Sequence, residues 1–202
     1  MIDPILATRF VHEQAELVRV LRPLTAFATL AQSFGDPPTA HAVTLSGFGF
    51  LVSCLAGDRR ELPEPYAESR HGPLHLHFAA DPARHPYTPW LVRLQSREDV
   101  EVFNPHVAAG PGLKKGLLCW LDQSDQHAPG RYTLGVVARQ ALLILSGQWI
   151  ALEGFALNED AKVWFARNRE RWPFAQIPFP LDAAPAAAAR PRIQFHARKE
   201  QS

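Results

Sequence analysis

The chain has 202 residues, of which 47% are hydrophobic, and a formal net charge of +1. A chain of this length buries enough surface to fold without disulfides or structural metal. The composition excludes wholesale disorder, and the near-zero charge excludes a global pull toward nucleic acid or anionic membrane.

Met1-Ile2-Asp3-Pro4-Ile5-Leu6 lacks the basic start and long apolar stretch of a secretory signal. No run reaches the ~18 apolar residues of a spanning helix, so a soluble cytoplasmic protein is expected. Residues 9–22 read as an amphipathic helix, with Thr8 as N-cap, Pro23 as stop, and Val11, Ala15, Val18 and Leu21 on the buried face. A second helical stretch is expected over 26–34, closed by Gly35-Asp36-Pro37-Pro38. From Ala42 to Leu55, β-branched and aromatic residues predict one bent strand or two, with a bulge at Gly47-Phe48-Gly49.

Prolines make 63–89 loop-rich, and Leu74–Phe78 is the regular element within it. Short strands follow at 90–95, 100–103 and 117–121. Residues 141–145 and 148–152 flank Ser146-Gly147 and predict a β-hairpin. Asn158 with Glu159 and Asp160 marks the start of a helix running to about Arg171. From Arg167 onward seven basic residues face three acidic ones, which leaves the last segment at +4 and the body at −3.

The densest chemistry is His75-Leu76-His77. Residues two apart on a strand share a face, so the two imidazoles point together. Neutral imidazole pairs suit zinc, iron and other first-row metals, and Asp81, His71 and His85 are the candidate third ligands. The same alternation also describes the wet face of an ordinary strand. Lys114 and Lys115, in the glycine-rich loop 110–116, are candidate anion-binding residues. Trp172, Phe174 and Phe179 lie in a proline-stiffened apolar stretch that either straps the body or contacts a partner. Cys54 and Cys119 sit in apolar runs and read as buried free thiols.

These features predict an α+β fold: a mostly antiparallel sheet with an N-terminal helix and a C-terminal helix packed on it. One globular domain is expected over 1–181, with an Ala/Pro-rich linker and disordered basic tail over 182–202. Without a complete catalytic constellation, the expected role is a non-enzymatic intracellular binding or accessory protein. Its expected partner is another protein, with nucleic acid as the weaker alternative. The competing expectation is a metal-dependent enzyme of hydrolase or oxygenase type, holding zinc or iron on His75 and His77.

Overall fold

The computed structural model describes residues 2–46, 50–56, 59–110, 112, 114–121, 132–150, 152, 156–168 and 170. Helix α1 spans Pro4–Leu21 and starts earlier than the sequence suggests. Asp3 is its cap: Oδ1 accepts from the Ile5 N–H at 2.7 Å, and Pro4 takes the first helical position. Thr8, the expected cap, bonds back to the Pro4 carbonyl inside the helix. The buried stripe is Phe10, Glu13, Leu17 and Leu21. Val11 and Val18, expected inside, are exposed. A 3₁₀ turn, Arg22–Leu24, ends the helix at Pro23.

Strand β1, Ala28–Phe34, replaces the helix expected over 26–34. It forms a hairpin with β2, Ala40–Leu45, across the Gly35–Pro38 turn. Tertiary pairing overrides a weak local preference here, since the strand is an edge and only Ala28 in it is fully buried. Next come β3 (Leu51–Ala56), β4 (Arg59–Arg60) and β5 (Glu64–Pro65). They are followed by the single-turn α2 (Glu68–His71), β6 (Leu74–Ala79), β7 (Leu91–Gln95) and β8 (Val100–Val102). Residues 117–118 make two isolated bridges, to Arg93 and Val107, where a strand was expected. The bulge expected at Gly47-Phe48-Gly49 lies outside the described residues.

The largest correction concerns 141–152. Leu134–Leu145 is helix α3, where a hairpin strand was expected. The segment is apolar on nearly every side because α3 is buried on nearly every side, which erases the helical period from the sequence. Gly147, at φ 72°, closes the helix end, its N–H bonding the Ile144 carbonyl. Gly135 lets α3 approach α1: a Cβ there would stand 3.0 Å from the Glu16 side chain. Helix α4 covers Glu159–Asn168, and Asn158 caps it as expected, its Oδ1 accepting from the Ala161 N–H at 3.0 Å. The continuation expected toward Arg171, and the segment 182–202, fall outside the described residues.

The fold is α+β with antiparallel sheets. One sheet runs β1-β2-β6-β7; the other joins β4, β5 and β8 to β3. The inner face of the first sheet buries Val43, Leu45, Leu74, Leu76, Phe78, Val92 and Leu94 in a core shared with Phe10 and Leu17 of α1 and with the apolar side chains of α3. A smaller core of Leu51, Phe103, Ile150, Ala161 and Phe165 seats α4. Arg60 clamps this region: Nη2 donates to buried Glu101 at 3.0 Å and Nη1 to Asp160 at 2.6 Å. Among the described residues, no helix is long and apolar enough to cross a membrane.

Candidate functional sites

His75 and His77 share the outer face of β6, while Leu74, Leu76 and Phe78 are buried on the other. Their ring centroids lie 6.3 Å apart at 73°. His75 Nδ1 contacts Thr44 Oγ1 at 3.3 Å. Burial, followed by the neighbouring His75 ring, holds the His77 pKa below its usual value against an opposing hydrogen bond with Gln95. Among the described residues, no third histidine, cysteine or carboxylate joins this pair closely enough to complete a metal site.

The three expected partners lie elsewhere. Asp81 caps its own turn, with Oδ1 accepting from the Ala83 N–H at 2.9 Å. His85 is buried beneath α1, with Nε2 3.2 Å from Glu13 Oε1. His71 closes α2, with Nε2 2.8 Å from Glu64 Oε1.

Glu13 is the centre of a buried polar network. Its side chain is 1% exposed and accepts from Trp90 Nε1 at 2.6 Å and from Arg9 Nε at 2.7 Å. Burial pushes its pKa up, but the bonds from His85, Arg9 and Trp90 outweigh that and hold it below the usual carboxylate value. His41, fully buried nearby, bonds Ser33 Oγ through Nδ1 at 2.9 Å; burial pushes its pKa down to about 4, against the pull of Glu13. The network joins α1 to the 85–90 loop and holds the helix on the sheet.

Cys54 and Cys119 are free and half-buried, where full burial was expected. Cys54 lies beside Glu64 and His71, with one ligand atom from each residue within 4.8 Å of the others. Burial and the nearby Glu61 and Glu64 carboxylates raise its pKa, so its thiol stays protonated.

Cys119 sits at a different corner. Its N–H donates to the His106 carbonyl at 2.8 Å, and the His106 ring in turn hydrogen-bonds the main chain of Cys119. Burial keeps His106 below its usual pKa despite that bond, so the ring is neutral. The indole of Trp149, 37% exposed, lies 5.0 Å from the His106 ring. Beneath them Asn104 is a buried brace. Its Oδ1 accepts from the His106 N–H and its Nδ2 donates to the Ile144 carbonyl at the end of α3, both at 2.9 Å. Sequence reasoning missed His106 and Asn104. The available signal was Asn104-Pro105, a dipeptide that starts turns because the Asn side chain can accept from the N–H two residues on.

Lys114 is exposed, whereas Lys115 donates to the Glu98 carbonyl at 2.6 Å and lines a cavity of about 220 Å³ with Arg93, Gln95, Glu98 and Glu101. Both charge signs line this cavity, which gives it no preference for anions. Trp172, Phe174 and Phe179 lie outside the described residues. Comparison with protein-family models and with curated proteins found no match to this chain.

Proposed function

We propose that the protein works through the Cys119 thiol as a nucleophile toward an electrophilic substrate, with Trp149 as an apolar platform beside it. One observation carries this reading. Cys119 is a half-buried free cysteine on a corner braced by a buried asparagine; its thiol donates to the Leu121 carbonyl at 3.5 Å, and the neutral His106 imidazole bonds its main chain. Of the other described candidates, His71 and His85 pair with carboxylates and His75 and His77 lie on the outer face of the sheet. His106 acts as a positioning residue, fixing the main chain of Cys119 from both directions. The free state of both cysteines fits a reducing compartment such as the cytoplasm.

Competitive alkylation of the full chain with limiting iodoacetamide, read site by site by mass spectrometry, tests the proposal. Cys119 is expected to react at least about tenfold faster than Cys54, because only the thiolate attacks and burial, followed by the Glu61 and Glu64 carboxylates, holds Cys54 protonated. Equal rates, or a faster Cys54, would refute it.

A second reading, a non-enzymatic binding or accessory protein, is favoured by the outer face of the β1-β2-β6-β7 sheet. Phe34 and Leu91 are 40% and 49% exposed there, beside His75 and His77. A polypeptide partner fits such a surface better than nucleic acid, which needs a denser basic patch. Phe34→Asp and Leu91→Asp would then abolish association measured by light scattering with a purified partner while leaving the Cys119 alkylation rate unchanged.

A further inference from the structure

A separate set of donors lies away from the Cys119 corner. Cys54 comes from β3, Glu64 from β5 and His71 from the end of α2, and their ligand atoms are mutually within 4.8 Å. The fold places each one independently. Strands β3 and β5 pair through Val52 and Glu64. Tyr66 stacks on the His71 ring at 5.9 Å and ties its own hydroxyl to the Gly72 carbonyl at 2.8 Å. Arg70 holds the second oxygen of Glu64.

Thiolate, imidazole and carboxylate together form a borderline-soft donor set, suited to zinc and unlike the all-oxygen sets of magnesium or calcium. We propose that Cys54, Glu64 and His71 form a three-ligand zinc site whose fourth position is left to water or a ligand.

The hydrogen bonds specify what binding must change. His71 Nδ1 accepts from the Ala67 N–H at 3.0 Å, so the neutral ring carries its proton on Nε2 and donates it to Glu64 Oε1. Zinc needs the Nε2 lone pair. On binding, that proton moves to Nδ1, and the exposed Ala67 backbone must move away from the ring to admit a water that accepts from both the Nδ1–H and the Ala67 N–H. The Cys54 S–H bond breaks as the Zn–S bond forms, and its proton leaves to solvent. One proton is released in all, and no electron is transferred. Arg70, bonded to the far oxygen of Glu64, becomes the outer partner that orients the carboxylate.

The test uses untagged full-length protein, stripped with chelator and kept reduced, titrated with Zn²⁺ alone against a chromophoric chelator. One equivalent is expected to bind. Long-range ¹H–¹⁵N spectra of the imidazoles are expected to show His71 changing from the Nε2–H tautomer to an Nδ1–H ring. Cys54→Ser and His71→Gln are each expected to weaken binding by about tenfold or more, while Cys119→Ser and the double variant His75→Gln/His77→Gln leave it unchanged. Substitution of Co²⁺ into the wild-type chain is expected to give a near-ultraviolet sulfur-to-metal charge-transfer band, a readout that needs no variant to fold. Absence of stoichiometric binding, a missing charge-transfer band, binding that survives Cys54→Ser, or a His71 ring that keeps its Nε2 proton would each overturn the proposal.

Discussion

Replacing Glu13 with alanine tests the claim that one buried carboxylate holds α1 on the sheet. Three donors meet at Glu13: Trp90 Nε1, Arg9 Nε and His85 Nε2. Arg9 is 31% exposed and turns to water when the carboxylate goes, but the Trp90 and His85 side chains are buried and cannot. A hydrogen bond to an ionised acceptor is worth about 1.5–3 kcal/mol, so two stranded donors cost about 3–6 kcal/mol. Removing the carboxylate also relieves its own desolvation, which brings the expected net loss to about 3–4 kcal/mol. For a chain of this size, about 2–4 °C per kcal/mol gives a fall in Tm of roughly 6–16 °C. Glu13→Gln keeps the volume and one acceptor oxygen but sets an amide N–H₂ against a donor, so it is expected to fall between wild type and alanine. Urea and thermal denaturation followed by tryptophan fluorescence measure both variants. An alanine variant within about 1 kcal/mol of wild type, or a glutamine variant less stable than alanine, would refute the role given to this carboxylate.

Three further outcomes follow from the same geometry. The His41 pKa falls from 6.5 to about 4 on folding, so the unfolded chain binds the extra proton between those values. Stability therefore rises with pH across that window and is lost as pH falls toward 4, by up to about 3 kcal/mol; His41→Gln is expected to flatten urea midpoints plotted against pH from 4 to 6.5. At Gly116, φ is 74° and a Cβ would stand 2.1 Å from the Leu94 carbonyl oxygen. Gly116→Ala is expected to cost at least about 2 kcal/mol in urea denaturation and to break the Leu94–Gly116 backbone bond in hydrogen exchange. Asn104→Ala leaves the His106 N–H without its acceptor and removes one donor from the Ile144 carbonyl, which keeps the Gly147 N–H, with an expected loss of about 1–2 kcal/mol by denaturation; the preference of alkylating agent for Cys119 over Cys54 is expected to shrink with it.

The parts of the fold legible in the sequence are those whose signal is local. Strand β6 shows strict alternation because one face is buried and the other is not. Helix α4 shows its cap because Asn158 satisfies an N–H only three residues on. Helix α3 fails the same test for a physical reason: when Leu134, Val137, Ala138, Ala141, Leu142, Ile144 and Leu145 are all buried, polar residues mark almost no outer stripe. The glycine that ends the helix then resembles a hairpin turn. Strand β1 fails for the opposite reason. It is an edge, largely exposed, and only its pairing with β2 distinguishes it from a short helix.

The same division governs the candidate sites. Period-two alternation suffices to put His75 and His77 on one face, because that relation involves a single strand. It cannot tell where His71 and His85 go, although both lie within a few residues of the pair. A buried imidazole needs a partner for its N–H, and each finds a carboxylate away from the His75–His77 strand: Glu64, seven residues back in β5, for His71, and Glu13 of α1 for His85. Burial thus pulls the local histidine cluster apart, and nearness along the chain overstates how many of its members can meet at one ion. The groups that do converge, Cys54 with Glu64 and His71, and Cys119 with His106, are brought together by strand pairing or backbone bonds between segments whose local sequence carries no mark of the encounter. A lone cysteine in an apolar run reads as inert from sequence alone. Cys54 itself is marked by burial and by the Glu61 and Glu64 carboxylates beside it, neighbours that pairing between elements supplies.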